Sequence, residues 1–233
     1  MSERLPLFPL GTVLFPGLVL PLHVFEERYR ALVRHLIRDD DDHGAFGVVA
    51  IRQGQETVDG DTAVDGTPTE HAEVTLHRVG CTAEIRQLTA HPDGRFDLVT
   101  VGRRRFRIRE LHRGAEPYLS ADVDWVDEPD ADSRAALLVP GLLDLFQRYL
   151  QVIRTDGGDG KEQLPDDPAV LSYLIAATTV LAIDDRQQLL AAATPADRLA
   201  LERRLINREL VLLRELNALP IPLGDLAAAS SEN

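Results

Sequence analysis

The sequence predicts an α+β protein, with a β-rich lobe carrying one helix over residues 1–128 and an α-helical bundle over residues 129–222. From Leu5 to about Val126, short apolar runs alternate with Pro, Gly and Asp clusters, which is the punctuation of short strands. Beyond Glu128 the apolar residues recur at helical spacing instead. With 233 residues, 44% of them hydrophobic, the chain can fill one large core or two compact ones.

The opening pieces Leu5 to Phe8 and Val13 to Phe15 carry prolines at their ends, so they belong at edges or bends, where a missing N–H is tolerated. Pro16-Gly17 supplies a type II turn, whose third position needs a positive φ. Val19 to Leu22 extends again. The first helix is expected from Val24 to Arg38, with Val24, Tyr29, Leu32, Val33 and Leu36 on one apolar face and Glu26 one turn from Arg30. Ala45 to Ile51 is a nearly all-apolar strand. The polar, Gly-rich stretch that follows through Glu70 is long for a connection, a length typical of functional or mobile loops. Cys81, Ala83 and Ile85 alternate with Thr82, Glu84 and Arg86, and Pro92-Asp93-Gly94 turns the chain into Phe96 to Val101, completing a hairpin. Arg104 to Leu111 sets Phe106 and Ile108 on one face and Arg105, Arg107 and Arg109 on the other. Tyr118 to Val126 is the last strand of this lobe.

Four helices follow: Arg134 to Ile153, Pro168 to Leu181, Asp184 to Ala193 and Thr194 to Leu219. Thr194 is a good N-cap with Pro195 at the first helical position, and Leu201, Leu205, Ile206, Leu210, Leu213 and Leu216 keep helical spacing. Pro140 either kinks the first of these helices or marks its true start. Residues 223–233, including Ala227 to Asn233, read as a disordered tail.

Composition excludes several classes of activity. Formal charge is −13, with acidic runs at Asp39 to Asp42 and Asp156 to Asp167 that read as solvated loops. Phosphate backbones and anionic lipid surfaces would repel such a chain, so nucleic acid and membranes are disfavoured partners. Leu5 to Leu22 lacks charge and approaches the length of a membrane span, but Pro6, Pro9, Pro16 and Pro21 would each cost a helix roughly 3 kcal/mol. The single cysteine, Cys81, cannot form an internal disulfide, which fits a reducing cytoplasm. The only lysine, Lys161, is followed by Glu162 where a phosphate-binding loop needs Ser or Thr, and no other lysine exists to act as a dyad base or Schiff-base nucleophile.

Catalytic and metal constellations fare no better. His77 and Cys81 would share a strand face but lie about 13 Å apart along it, so Cys81 reads as a buried structural thiol. The histidines form no H-x-x-x-H pair, and Asp39 to Gly44 lacks the bidentate Glu that a calcium loop needs, Ala50 standing in its place. No catalytic residue, metal or cofactor is expected.

Three stretches carry a family resemblance. The opening Leu5-Pro6-Leu7-Phe8-Pro9-Leu10-Gly11-Thr12-Val13-Leu14-Phe15-Pro16-Gly17, running into Leu20-Pro21-Leu22-His23-Val24-Phe25-Glu26, resembles the start of the Lon protease N-terminal (substrate-binding) domain. Asp93-Gly94-Arg95 and Gly102-Arg103-Arg104-Arg105-Phe106-Arg107-Ile108 are similar to that family's Gly-basic-Phe stretch, and Gln187-Gln188-Leu189-Leu190 through Asp197-Arg198-Leu199 to its helical run. The resemblance covers about residues 5 to 217 in order. It implies a PUA-like β pseudobarrel followed by a helical bundle, as a stand-alone protein without the ATPase and peptidase of full Lon proteases. Recognition of exposed or misfolded polypeptide, or an adaptor role in protein quality control beside a protease or chaperone, is what can carry over. The alternative is a small-ligand or nucleic-acid module on the same barrel.

The family fixes no binding residue, so candidate peptide contacts come from this sequence alone. Arg103 to Arg109 is the one basic concentration in an acidic chain, either an exposed face paired with local acids or, through Arg103, Arg105 and Arg107, a surface for peptide carbonyls and acidic side chains. Phe15 and Leu18 flank an apolar turn that is either buried or presented to clients.

Overall fold

The computed structural model describes residues 3–38, 44–53, 75–153 and 164–215. The acidic run Asp39 to Asp42, the polar stretch through Glu70, Lys161, the last residues of the final predicted helix and the tail lie outside them. The class is α+β, as expected, and the chain divides into two compact units, the first ending at Val126 and the second beginning at Asp127.

The first unit holds seven strands among the described residues: β1 (Glu3–Leu10), β2 (Val19–Val24), β3 (Ala45–Gln53), β4 (Thr75–Leu76), β5 (Val79–Ala90), β6 (Phe96–His112) and β7 (Ser120–Trp125). β1 pairs antiparallel with β7 through Glu3 to Pro6 and parallel with β3 through Leu7 to Leu10, so the order β1-β7-β6-β5-β3 returns to β1 and closes a ring. Closure satisfies strand edges that would otherwise template aggregation. β2 stands outside the ring, paired with the first half of β6. The ring interior is filled by Leu5, Leu7, Val49, Phe106, Ala121 and Val123. Gly80 leaves room for the Phe106 ring, since a Cβ there would sit 2.4 Å from Phe106 Cζ.

Helix α1 (Glu27–Arg38) buries Tyr29, Leu32, Val33 and Leu36, the predicted apolar face without Val24, and Tyr29 stacks on Phe8 with ring centroids 3.9 Å apart. The helix starts later than expected because Val24 completes β2 opposite Phe96. Val13 to Phe15 is buried but forms no strand. Leu5 to Leu22 is extended and turn structure, not helix.

The second unit holds α2 (Ser133–Ile153), α3 (Pro168–Thr178), α4 (Ile183–Ala191) and α5 (Pro195–Glu215). Side chains set the starts of α2, α3 and α5: Asp132 accepts from Ala135 N at 2.8 Å, Asp167 from Ala169 N at 2.8 Å and Val170 N at 2.9 Å, and Thr194 from Asp197 N at 3.1 Å. Pro140 lies inside α2, which begins at Ser133 and runs through it. By length and composition α2 is the one described helix apolar enough to cross a membrane, yet its Leu142, Leu145, Phe146 and Tyr149 are buried in the core of this unit.

Arg198, in the stretch similar to the Lon helical run, turns out to be an internal brace. Fully buried on α5, it donates to Ser172 Oγ at 2.8 Å, Leu189 O at 3.2 Å, Tyr173 Oη at 2.8 Å and Glu128 Oε1 at 3.0 Å. Such a charge is tolerable in a core only because its fork of donors is satisfied.

Candidate functional site

Phe15-Pro16-Gly17-Leu18 forms the expected turn: Leu18 N donates to Phe15 O at 3.3 Å, and Gly17 adopts φ 80°. The turn docks on β6. Gly17 N donates to Gly102 O and Gly102 N to Leu18 O, both at 2.8 Å. Gly102 is required by this approach, since a Cβ there would lie 2.2 Å from Phe15 O. Two of the stretches that carried the family resemblance therefore meet at one glycine.

From that junction β2 runs along β6 with Val19 opposite Val101, Pro21 opposite Val99 and His23 opposite Asp97. Facing residues of an antiparallel pair project to the same side. Leu22 and Val24 point inward with Leu98, Phe96 and Thr100, all buried, so the odd-numbered residues of β2 form the outer face with Val99 and Val101. Val19 is 63% exposed and Phe25, just past the strand, 41%. Pro21 is exposed, and Val99 and Val101 are half-buried. β5 continues the face with Glu84 opposite Val101, Gln87 opposite Val99 and Thr89 opposite Asp97.

The rim of this apolar face is charged at both ends. Near the turn, Glu84 pairs with Arg103 and, at 3.0 Å, with Arg86. At the far end Asp97 takes His23 Nδ1 and His91 Nε2, each at 2.6 Å from one of its oxygens. Those hydrogen bonds, from His23 first and then His91, hold the Asp97 carboxyl below the usual carboxylate range. Among the described residues no group of three or more His, Cys, Asp or Glu side chains is arranged to hold a metal ion. Protein interfaces commonly combine an apolar centre with a polar rim.

The predicted contact residues separate. Leu18 is half-buried beside Val19, and Arg103 is exposed at the rim, so both adjoin the face. Phe15 is 0% and Arg105 2% exposed, and neither presents surface to a client. The expected single face of Arg105, Arg107 and Arg109 fails because β6 bulges: Cys81 and Ala83, two residues apart, oppose Arg105 and Gly102, three apart. The extra residue shifts the alternation, leaving Arg103 and Arg104 both exposed and Arg105 and Phe106 both buried. Arg104 lies over Trp125 at 4.2 Å from the ring centroid, and Arg109 pairs with Asp124 at 3.1 Å. Arg107 is exposed on the later half of β6, about 20 Å from Val101 at strand rise. Cys81 is buried, its Sγ directed at Thr82 O.

The model of the ATP-dependent protease La (LON) substrate-binding domain matches residues 4–208. The chain belongs to that family. Lon protease 2 of Myxococcus xanthus is 30% identical over 222 residues, which are 93% of this chain and 25% of that protein. Lon protease 1 of Bacillus subtilis (strain 168) is 27% identical over 214 residues, 90% of this chain and 26% of that protein. The chain thus spans about a quarter of the length of these Lon relatives. Among solved structures, the Lon N-terminal domain protein from Xanthomonas campestris aligns with a TM-score of 0.57 and 26% identity, covering 85% of this chain and 95% of that one. The N-terminal domain of the Mycobacterium avium complex Lon protease aligns with a TM-score of 0.59 at 18% identity, covering 88% and 98%, a likeness of fold. Membership of the Lon substrate-binding family supports a substrate-recognition module.

Val19, Phe25, Val99 and Val101, with the His23, His91 and Asp97 rim, escaped sequence reasoning. Val19 to Phe25 is apolar at every position but His23, so no polar phase marks the outward side.

Proposed function

We propose that this chain is a non-catalytic, cytoplasmic module that recognises unfolded or exposed polypeptide segments and holds them along β2, whose outward residues border the face shared with β6 and β5. The observation that carries this reading is the exposed apolar row Val19, Pro21 and Phe25, backed by Val99 and Val101, in a member of a substrate-binding family. The ring of strands with α1 would be the PUA-like pseudobarrel, residues 1–128, and residues 129–222 the helical bundle of one Lon N-terminal-type domain. An adaptor role in protein quality control, beside a protease or chaperone, is part of the same proposal. A lone lysine flanked by Glu162 and a buried Cys81 favour binding without catalysis.

Binding should be weak and reversible, about 1 μM, because a small surface leaves a modest surplus after association and chain-ordering entropy. The test is a titration of a reduced, unfolded protein against the same protein in its native form. Val19→Ser with Phe25→Ser removes apolar contact worth roughly 2 kcal/mol, so the unfolded client should bind about 30-fold more weakly while the fold survives. Equal indifference to both forms, together with salt-dependent RNA binding, would instead favour the nucleic-acid alternative.

A further inference from the structure

We infer that the client is received as an added β-strand on the free edge of β2, an inference that rests on the polypeptide-binding reading and specifies its mode. The phase of the ladder makes the case. Gly102 N donates to Leu18 O, so the even-numbered residues Leu20, Leu22 and Val24 face β6 with their backbone groups, opposite Thr100, Leu98 and Phe96. The N–H and C=O of Val19 and His23, and the C=O of Pro21, then point away from β6. Among the described residues β2 pairs with β6 alone, and none of these outward groups has a backbone partner. Donors and acceptors repeated at every second residue are matched most economically by another extended backbone. The same odd-numbered residues carry the exposed side chains, so a strand laid along this edge would set alternate side chains beside Val19, Pro21 and Phe25. Backbone bonding supplies tolerance of sequence, and the apolar row supplies the preference for unfolded chain.

Pro21 decides between occupants. In the fully overlapped antiparallel pairing with a second copy, Val19 meets His23 and Pro21 meets Pro21, so two carbonyls face each other with no donor. A foreign strand meets only one missing donor. The edge is thereby guarded against self-association yet open to a client.

The probe is a dye-labelled octapeptide of alternating Val and Ser. Side-chain phase puts its valines opposite Val19, Pro21 and His23, with valine N–H groups toward β2 and serine N–H groups away. N-methylation of the valines should weaken binding at least tenfold, whereas the same number of methyls on the serines should change it by less than threefold. Val19→Pro, which removes an N–H that bonds to nothing in the free protein, should weaken binding at least fivefold beyond Val19→Ala with the fold intact by circular dichroism. Equal binding of both methylated peptides would overturn strand addition. So would failure of the parent peptide to bind a preparation that still captures reduced, unfolded protein. If neither peptide nor unfolded protein binds, the polypeptide reading itself falls.

Discussion

Replacing Gly102 with alanine places a methyl group 2.2 Å from Phe15 O, 3.0 Å from Phe15 C and 3.2 Å from Leu14 Cγ. Two of those atoms are backbone, so relief requires the turn to lift from β6 rather than a side chain to rotate. Lifting weakens the bonds from Gly17 N to Gly102 O and from Gly102 N to Leu18 O, each about 1 kcal/mol, and loosens Phe15, which is 0% exposed. Overpacking left after the turn lifts adds about 1 kcal/mol, the low end of its usual range, giving a loss of about 3 kcal/mol. Gly17→Ala is the control: φ is 80° there but nothing lies within 4 Å of a Cβ, so only backbone strain of about 1 kcal/mol applies. Urea unfolding followed by the fluorescence of Trp125, the only tryptophan, reads both. With a slope of about 2 kcal/mol per molar, Gly102→Ala should lower the midpoint by roughly 1.5 M. A Gly102→Ala protein as stable as the parent, or more stable than Gly17→Ala, would refute the docking of the turn.

In the helical unit, Glu202 is 1% exposed, and neither of its carboxyl oxygens has a hydrogen-bond partner among the described residues. Burial pushes its pKa well up, with Arg198 opposing. A raised folded-state pKa means that the unfolded chain gives up this proton first, so the contribution is fully present below about pH 4.5 and is lost as pH rises toward the folded value. Chemical denaturation from pH 5 to 8 should show Glu202→Gln with a flatter stability decline than the parent, and an unchanged slope would contradict a neutral Glu202. Glu202→Leu should stabilise the unit at pH 7 by about 1–3 kcal/mol, read as a higher urea midpoint by far-ultraviolet circular dichroism. Arg198→Lys cannot reproduce the four-way fork, and a loss of about 3 kcal/mol is expected in the same assay; a lysine protein of parental stability would show that the brace is unnecessary.

Periodicity and punctuation made much of the architecture legible. The apolar face of α1 and the cap at Thr194 are local signals, written in residues a turn or less apart, whereas Asp167, read as part of a solvated acidic loop, caps α3. The same holds for the turn at Gly17, whose conformation depends on its own φ. What could not be read depends on partners distant in sequence. The bulge between Gly102 and Arg105 appears only once β6 is set against β5, and it buries Arg105 where simple alternation exposes it. Phe15 could be resolved as core only from the docking of its turn on Gly102. The apolar face requires β2 to be laid on β6, 74 residues away at the contact between His23 and Asp97. Arg198 is a further case: the sequence shows it only as part of a family-like helical run, and its burial among structural hydrogen bonds appears once α3, α4 and α5 are packed.

Amide hydrogen exchange, resolved by segment and compared with and without a saturating reduced, unfolded client, tests the central claim most directly. Slowed exchange confined to the segment containing Val19 to Phe25 is expected, because a strand added along the edge of β2 bonds the outward N–H groups of Val19 and His23. Protection that falls instead on α2 to α5, or client binding that leaves β2 exchanging as in the free protein, would contradict recognition through this face.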